Sequence, residues 1–407
     1  MYWANFFHIY QPPNWSPQII KKVTKESYRP ILTILKKSPK LKITLNISGS
    51  LTEQLALQGF NDIIDDITNL AKKKQIEFTG SALYHPILPL LPTKEIIRQI
   101  QLNTEINKKY FGKIYNPKGF FSPEMAYNKK IAIVIQSLGY KWIIVDEICY
   151  NGVLNASQLN QRYQIKGTSV NIVFRNRAIS DYFSFHGNPK KPQEFWDTVE
   201  KDGRYNPAII TAMDGENLGH HRKGWDIYWK KLATDKKIHT LTINSLLKKY
   251  KSKKIITPVN ASWSSQDREL KNKHPYILWD DPKNQIHSLQ WNLIHYTSKL
   301  LHQKTKHSNY TKARKLFDKR LASDQFWWAS AKPWWSLRII KKKTKELQEV
   351  ILLVDKNNKE GINISKKIIK LATKWQSTNK FKTIADKYLL DNQNDNTRFI
   401  GGNKITN

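Results

Sequence analysis

Ile209-Ile210-Thr211-Ala212-Met213-Asp214-Gly215-Glu216-Asn217 runs apolar and then stops on an acid. Gly119-Phe120-Phe121-Ser122-Pro123-Glu124-Met125 repeats the arrangement. Each apolar run reads as a short buried strand, and a helical pattern follows each acid. Burial strips a carboxylate of its water, so such a group is costly in a core. It is well placed at the carboxyl end of a parallel strand. A third polar cluster, His8-Ile9-Tyr10-Gln11-Pro12, closes the run 2–7. Three polar clusters at three strand ends outline a candidate active-site mouth.

Working outward, seven β-like runs fall at 2–8, 42–48, 75–78, 119–121, 142–146, 171–174 and 208–213. Helical spacing of apolar residues lies between several of them: 16–36, 51–73 with Ser50 as its N-cap, 93–110 and 129–138. Gly139 ends the last of these. Strand, helix, parallel strand is the order of an α/β fold with right-handed crossovers. Seven strands suggest a barrel one short of the usual eight, and an open doubly wound sheet satisfies the same order. A connection rich in Asp, Asn, Ser and Pro follows over 259–284. Beyond it, 286–303, 310–328, 337–354 and 362–390 read as helices, with no strand pattern among them. The expected division is a barrel over 1–265, a helical region over 266–390 and a frayed tail over 391–407.

With 407 residues the chain has room for a large core. Its net charge of +35 invites a polyanion partner. Of the 68 basic residues, however, 12 are Arg and 56 are Lys, and the lysines are spread over nearly every predicted helix. Readers of bases and phosphates favour the planar fork of Arg, so no specific nucleic-acid partner is expected. Cys149 is the one cysteine, which rules out an internal disulfide and reads as a buried, inert thiol. No basic stretch leads into an apolar leader, and the longest apolar run, 131–145, is broken by Gln136, Ser137, Gly139 and Lys141. A cytoplasmic protein without a membrane partner is therefore expected. The 14 Trp fit a large core, with room for one or two as flat platforms for sugar rings.

Two further segments complete a set: Ser81-Ala82-Leu83-Tyr84-His85-Pro86 and Ser323-Asp324-Gln325-Phe326-Trp327-Trp328. Taken in chain order with the clusters at His8, Glu124 and Asp214, they resemble the five motifs of glycoside hydrolase family 57. The resemblance implies an incomplete seven-stranded β/α barrel followed by a C-terminal helical domain. It also implies a retaining enzyme on α-linked glucans, amylase-like or 4-α-glucanotransferase-like, that needs no metal or organic cofactor. Carried over motif by motif, Glu124 is the nucleophile and Asp214 the general acid/base. His8, Gln11, His85, Asp324 and Trp327 line the sugar subsites, with Glu216 beside them in the fourth motif. Tyr10 stands where the family often has His, Phe121 where it often has Trp, and His85 where it often has Glu. These positions shape the first subsites and so bear on substrate and linkage.

The chemistry suits those residue types. Glycosidic cleavage passes through an oxocarbenium-like state, so one carboxylate attacks as the anion. The other protonates the leaving oxygen and then serves as base. Blander readings stand beside this one. Glu124 also reads as a first-turn helix carboxylate, Asp214 as the Asp of an Asp-Gly turn with Glu216 as the rival acid, and His8 as a satisfied core histidine. His8, His85, His220 and His221 with Asp214 would also serve a metal-dependent polysaccharide deacetylase, although no compact His pair at helical spacing supports one. A glucan-binding protein without turnover is a third reading.

Overall fold

Strands β1 (Tyr2–Ile9), β2 (Ile43–Ile47), β3 (Ile76–Gly80), β4 (Gly119–Phe121), β5 (Trp142–Asp146), β6 (Arg162–Ile165), β7 (Asn171–Arg175), β8 (Ala208–Asp214), β9 (His239–Leu241) and β10 (Lys253–Ile256) form one sheet. The computed structural model describes residues 1–13, 15–155, 161–202, 208–250 and 252–393. The expected tail therefore lies, from 394 onward, outside the described residues. The chain divides into two units: Met1–Leu83 with Thr93–Trp263, and Tyr84–Pro92 with Ser264–Asn407.

In the first unit the strands run in the order β10-β6-β7-β5-β4-β3-β2-β1-β8, with β9 beside the start of β1. Every pairing is parallel except β6 with β7. The strands at the heart of the sheet, β2 and β5, are buried along their whole length, which is why they read as unbroken apolar runs. The sheet curls until β7 meets β8: Asn176 N–H donates to Ile210 O at 2.7 Å. The seven strands β1, β2, β3, β4, β5, β7 and β8 thus form the expected incomplete barrel. The other three, β6, β9 and β10, extend it and were not foreseen.

Large and small residues alternate inside the barrel. Phe6, Phe121, Trp142 and Ile144 fill space left by Ala4, Ala208 and Ala212. Gly119 leaves room for Trp142, since a Cβ there would stand 2.1 Å from the indole ring. Gly119→Ala is expected to lower stability by about 1–3 kcal/mol, because the buried indole has nowhere to shift. A denaturant melt checks this; an unchanged midpoint would contradict the packing account. At the amino ends of the strands the helix Ile243–Leu247 plugs the barrel, capped by Thr242. Its first two N–H groups donate to Thr44 Oγ1 at 2.9 Å and Glu77 Oε1 at 3.2 Å.

The helices between strands follow the predicted order, with local corrections. The run predicted over 16–36 is continuous but holds a π-turn at Thr24–Tyr28. The run predicted over 51–73 is two helices, Gly49–Leu57 and Asn61–Lys72, parted where Gly59 takes φ +81°. Ser48, not Ser50, caps the first of them, accepting from Leu51 N–H.

The second unit is helical: Asp267–Lys271, Gln285–Gln303, Tyr310–Arg320, Asp324–Trp327, Leu337–Val354, Lys359–Ser377 and Lys380–Gln393. The stretch read as one helix over 310–328 is two. Asn284, Ser336 and Asn358 cap their helices through the side chain. Leu293, Ile294, Phe317, Phe326, Ile340, Val350, Ile351 and Ile368 are buried in its core. His287 is buried there too. Its Nδ1 accepts from Asp281 N–H and its Nε2–H donates to Phe326 O, so the ring is neutral, with its pKa lowered to about 4 by burial. Among the described residues no helix is long and apolar enough to cross a membrane.

Candidate active site

The carboxyl ends of the barrel strands carry polar residues at matched heights. His8 on β1 stands in register with Asn46 on β2 and with Asp214 on β8, and Asp146 on β5 with Arg175 on β7. Asn46 donates through Nδ2 to Thr79 Oγ1 at 3.1 Å, which turns its Oδ1 toward His8 Nδ1 at 2.7 Å. His8 therefore carries its proton on Nδ1. Burial lowers its pKa to about 4, so the ring is neutral at ordinary pH, and it stacks on Phe121 at 4.5 Å. Across the mouth, Asp146 takes Arg175 Nε–H at 2.7 Å and Arg177 Nη2–H at 2.7 Å, and the two guanidinium groups hold its carboxyl below the usual range against the cost of burial. A buried acid between two arginines is tolerable only because both charges and their hydrogen bonds are matched.

Glu124 lies in the tight turn Pro123–Met125 that follows β4. Its φ is +59°, and Met125 follows at +49°. Two successive non-glycine residues in the left-handed region cost of order 1–2 kcal/mol each, so the surroundings must hold them. Trp263 does part of this. Its main-chain N–H donates to Glu124 O at 3.1 Å and its Nε1–H to Glu124 Oε2 at 2.8 Å. The bridge between Tyr127 and Ala261 pins the same loop two residues earlier.

Asp214 ends β8 and is partly exposed at the mouth. Burial of its surroundings raises its carboxyl to about 6, with the charge of Arg175 acting in the opposite direction. Gly215 follows, where a Cβ would lie 2.6 Å from Ile9. Glu216 comes next and is only 3% exposed. Its Oε1 accepts from Tyr28 Oη–H at 2.5 Å, Gln11 Nε2–H at 3.2 Å and Tyr10 N–H at 3.2 Å. Burial raises Glu216 to about 7, the charge on Asp214 adds to the rise, and the bonds from Tyr28 and Gln11 oppose it.

The structure thus brings His8, Gln11, Glu124, Asp214 and Glu216 to one end of the barrel. Gln11, at 6% exposure, and Glu216 turn toward each other as a buried brace between the loops after β1 and β8. His85, Asp324 and Trp327 belong to the second unit. There His85, at φ +57°, faces Ser323 Oγ across 3.1 Å, and its carbonyl accepts Ser323 N–H at 3.1 Å. Asp324 opens the next short helix, and Trp327 packs on Trp334 at 4.4 Å. His220 instead pairs with Glu26 at 2.6 Å, and among the described residues no three His, Cys, Asp or Glu side chains gather as metal ligands. Trp263 and Tyr28 were missed in the sequence. Trp263 sits inside a stretch that reads as connection, and Tyr28 inside an ordinary amphipathic helix.

A family profile described as glycosyl hydrolase family 57 matches residues 4–259. An alpha-amylase of Pyrococcus abyssi is 25% identical over 260 residues, which are 61% of this chain and 39% of that one. A 4-alpha-glucanotransferase of Thermococcus litoralis is 25% identical over 255 residues, 60% of this chain and 38% of that one. The chain thus spans about two fifths of the length of these curated relatives. Among solved structures, a branching enzyme from Pyrococcus horikoshii superposes with a TM-score of 0.70 at 15% identity, covering 91% of this chain and 94% of that one. The Thermococcus litoralis 4-alpha-glucanotransferase gives 0.68 at 18% identity, covering 88% and 60%. At such identities these two likenesses speak to the fold.

Proposed function

The chain belongs to glycosyl hydrolase family 57, and from that membership and the barrel mouth we propose that it cleaves or transfers α-linked glucans with retention, Glu124 attacking and Asp214 handling the proton. One observation carries the reading: two carboxylates at one barrel mouth sit in unlike surroundings, Glu124 on an indole N–H and Asp214 where burial raises its pKa. Glu124 accepts an indole N–H on Oε2, a bond that favours the anion. Asp214 is raised to about 6 and so holds its proton in mildly acid solution. A pair of acids separated in this way is the usual division between nucleophile and acid.

In the first step a Glu124 carboxylate oxygen bonds to the anomeric carbon as the glycosidic C–O bond breaks. The proton of Asp214 passes to the departing oxygen. In the second, Asp214, now a carboxylate, takes a proton from water or a sugar hydroxyl. That oxygen attacks the anomeric carbon and Glu124 is released. Water gives hydrolysis and a sugar gives transfer, so one machinery serves both outcomes. His8, neutral and held through Nδ1, would present a fixed ring edge to the sugar; His85, Asp324 and Trp327 are proposed as sugar-binding residues of the second unit.

The test is incubation with maltoheptaose followed by product chain-length analysis, beside Glu124→Gln. Shorter sugars, or a ladder of both shorter and longer ones, are expected from the unaltered protein and not from the variant. Untouched maltoheptaose with an intact fold would overturn the α-glucan assignment.

A further inference from the structure

Trp263 meets Glu124 at two points, although 139 residues separate them in sequence. One contact is to the main chain of the left-handed turn, the other to the carboxylate itself. The indole is not free to leave. Phe121 packs against it edge-to-face at 5.9 Å and His8 at 6.3 Å, while the Arg175 guanidinium lies over the ring at 5.6 Å. Arg175 is itself fixed, by Asp146 at 2.7 Å and by Ala212 O at 3.0 Å. These contacts flank the ring while its N–H is aimed at Oε2.

We propose that Trp263 is a positioning residue for Glu124: its indole N–H selects the ionised carboxylate and fixes its orientation, while its main-chain N–H holds the strained turn. The proposal rests on Glu124 being the nucleophile. A hydrogen bond to Oε2 restricts rotation of the carboxylate and so fixes its plane at the mouth. A bond to the charged form also keeps Glu124 ionised where Asp214 must keep its proton. Without the donor, the side chain would sample other rotamers and gain a proton at higher pH. Arg175 ties this device to the other acid, because the guanidinium that lies over Trp263 also opposes, through its charge, the rise that burial imposes on Asp214.

The experiment replaces Trp263 with 3-benzothienylalanine, which keeps the shape of indole and puts sulfur in place of the N–H, and compares it with Trp263→Phe. The pH profile of kcat/KM on maltoheptaose is the readout, since loss of packing alone lowers rate without moving a limb. Expected in the isostere is a fall of about tenfold to a hundredfold, the size set by one bond to a charged group. The acid limb should move up by about one pH unit. Trp263→Phe should show the same shift with a larger fall, and its near-UV circular dichroism reports whether it folds. An isostere with the unaltered rate and acid limb, beside a silent Glu124→Gln, overturns the proposal alone. Turnover retained in Glu124→Gln would instead remove the reading it rests on.

Discussion

Asp214→Asn is expected to lower turnover of maltoheptaose by about a thousandfold, within the range that a positioned general acid supplies. The loss should depend on the leaving group. An alcohol oxygen needs the proton of Asp214 to depart, whereas fluoride in α-glucosyl fluoride departs without one. The variant should therefore still form the glycosyl-enzyme from the fluoride and accumulate it, because no carboxylate remains to deprotonate the incoming water. The pH profile gives an independent sign. Asp214 is raised to about 6, so the acid is present below that pH and disappears above it. On maltoheptaose, kcat/KM should fall as pH rises through about 6, and on the fluoride the variant should show no such limb. Burial raises Glu216 as well, and the charge on Asp214 adds to that rise, so the two acids titrate as a coupled pair. Equal losses on both substrates with an intact fold would contradict the assignment of Asp214 as acid.

What the sequence displayed of this fold follows from which physical terms are local. The seven barrel strands are short apolar runs because both faces of a curled parallel sheet are covered, and burial is written residue by residue. β10, Lys253–Ile256, carries two lysines and is largely exposed, and it is a strand only because β6 accepts its edge. That pairing joins segments some ninety residues apart, and no local pattern signals it. The break at Gly59 was hidden for a related reason: apolar spacing continues through it, while the left-handed turn is a backbone event. The acids at the strand ends were legible because an acid closing an apolar run is anomalous. Their supports were not. Tyr28, Gln11 and Glu216 meet across 188 and 205 residues, and Trp263 reaches Glu124 from a loop that advertises only its prolines and polar residues. Composition also hid a difference of kind among the candidates. Gln11 and Glu216 read alike as polar residues facing a ligand, while the structure shows Gln11 Nε2–H donating to Glu216 Oε1, a pairing that no local pattern announces.

Removing the proposed nucleophile should give the largest loss and the clearest stereochemical sign. Glu124→Ala is expected to lower turnover of maltoheptaose by about 10⁴-fold or more, the scale seen when a covalent catalyst is deleted. The cavity left behind lies on the face of the sugar from which Glu124 would attack, beside the N–H of Trp263 that had held a negative oxygen. A small anion fits that site in charge and size. With azide and α-glucosyl fluoride, the variant should recover activity and yield the β-glucosyl azide, because azide enters from the nucleophile's side as fluoride leaves from the other. The unaltered protein, displacing twice, should give products of α configuration from the same donor. Proton NMR of the anomeric signal separates the two. An α-azide from Glu124→Ala, or full activity without azide, would place the nucleophile elsewhere. Asp214→Ala with the same fluoride should instead give the α-azide, because azide needs no base to discharge the glycosyl-enzyme held on Glu124, so the configuration of the azide from each variant separates the attacking acid from the proton donor.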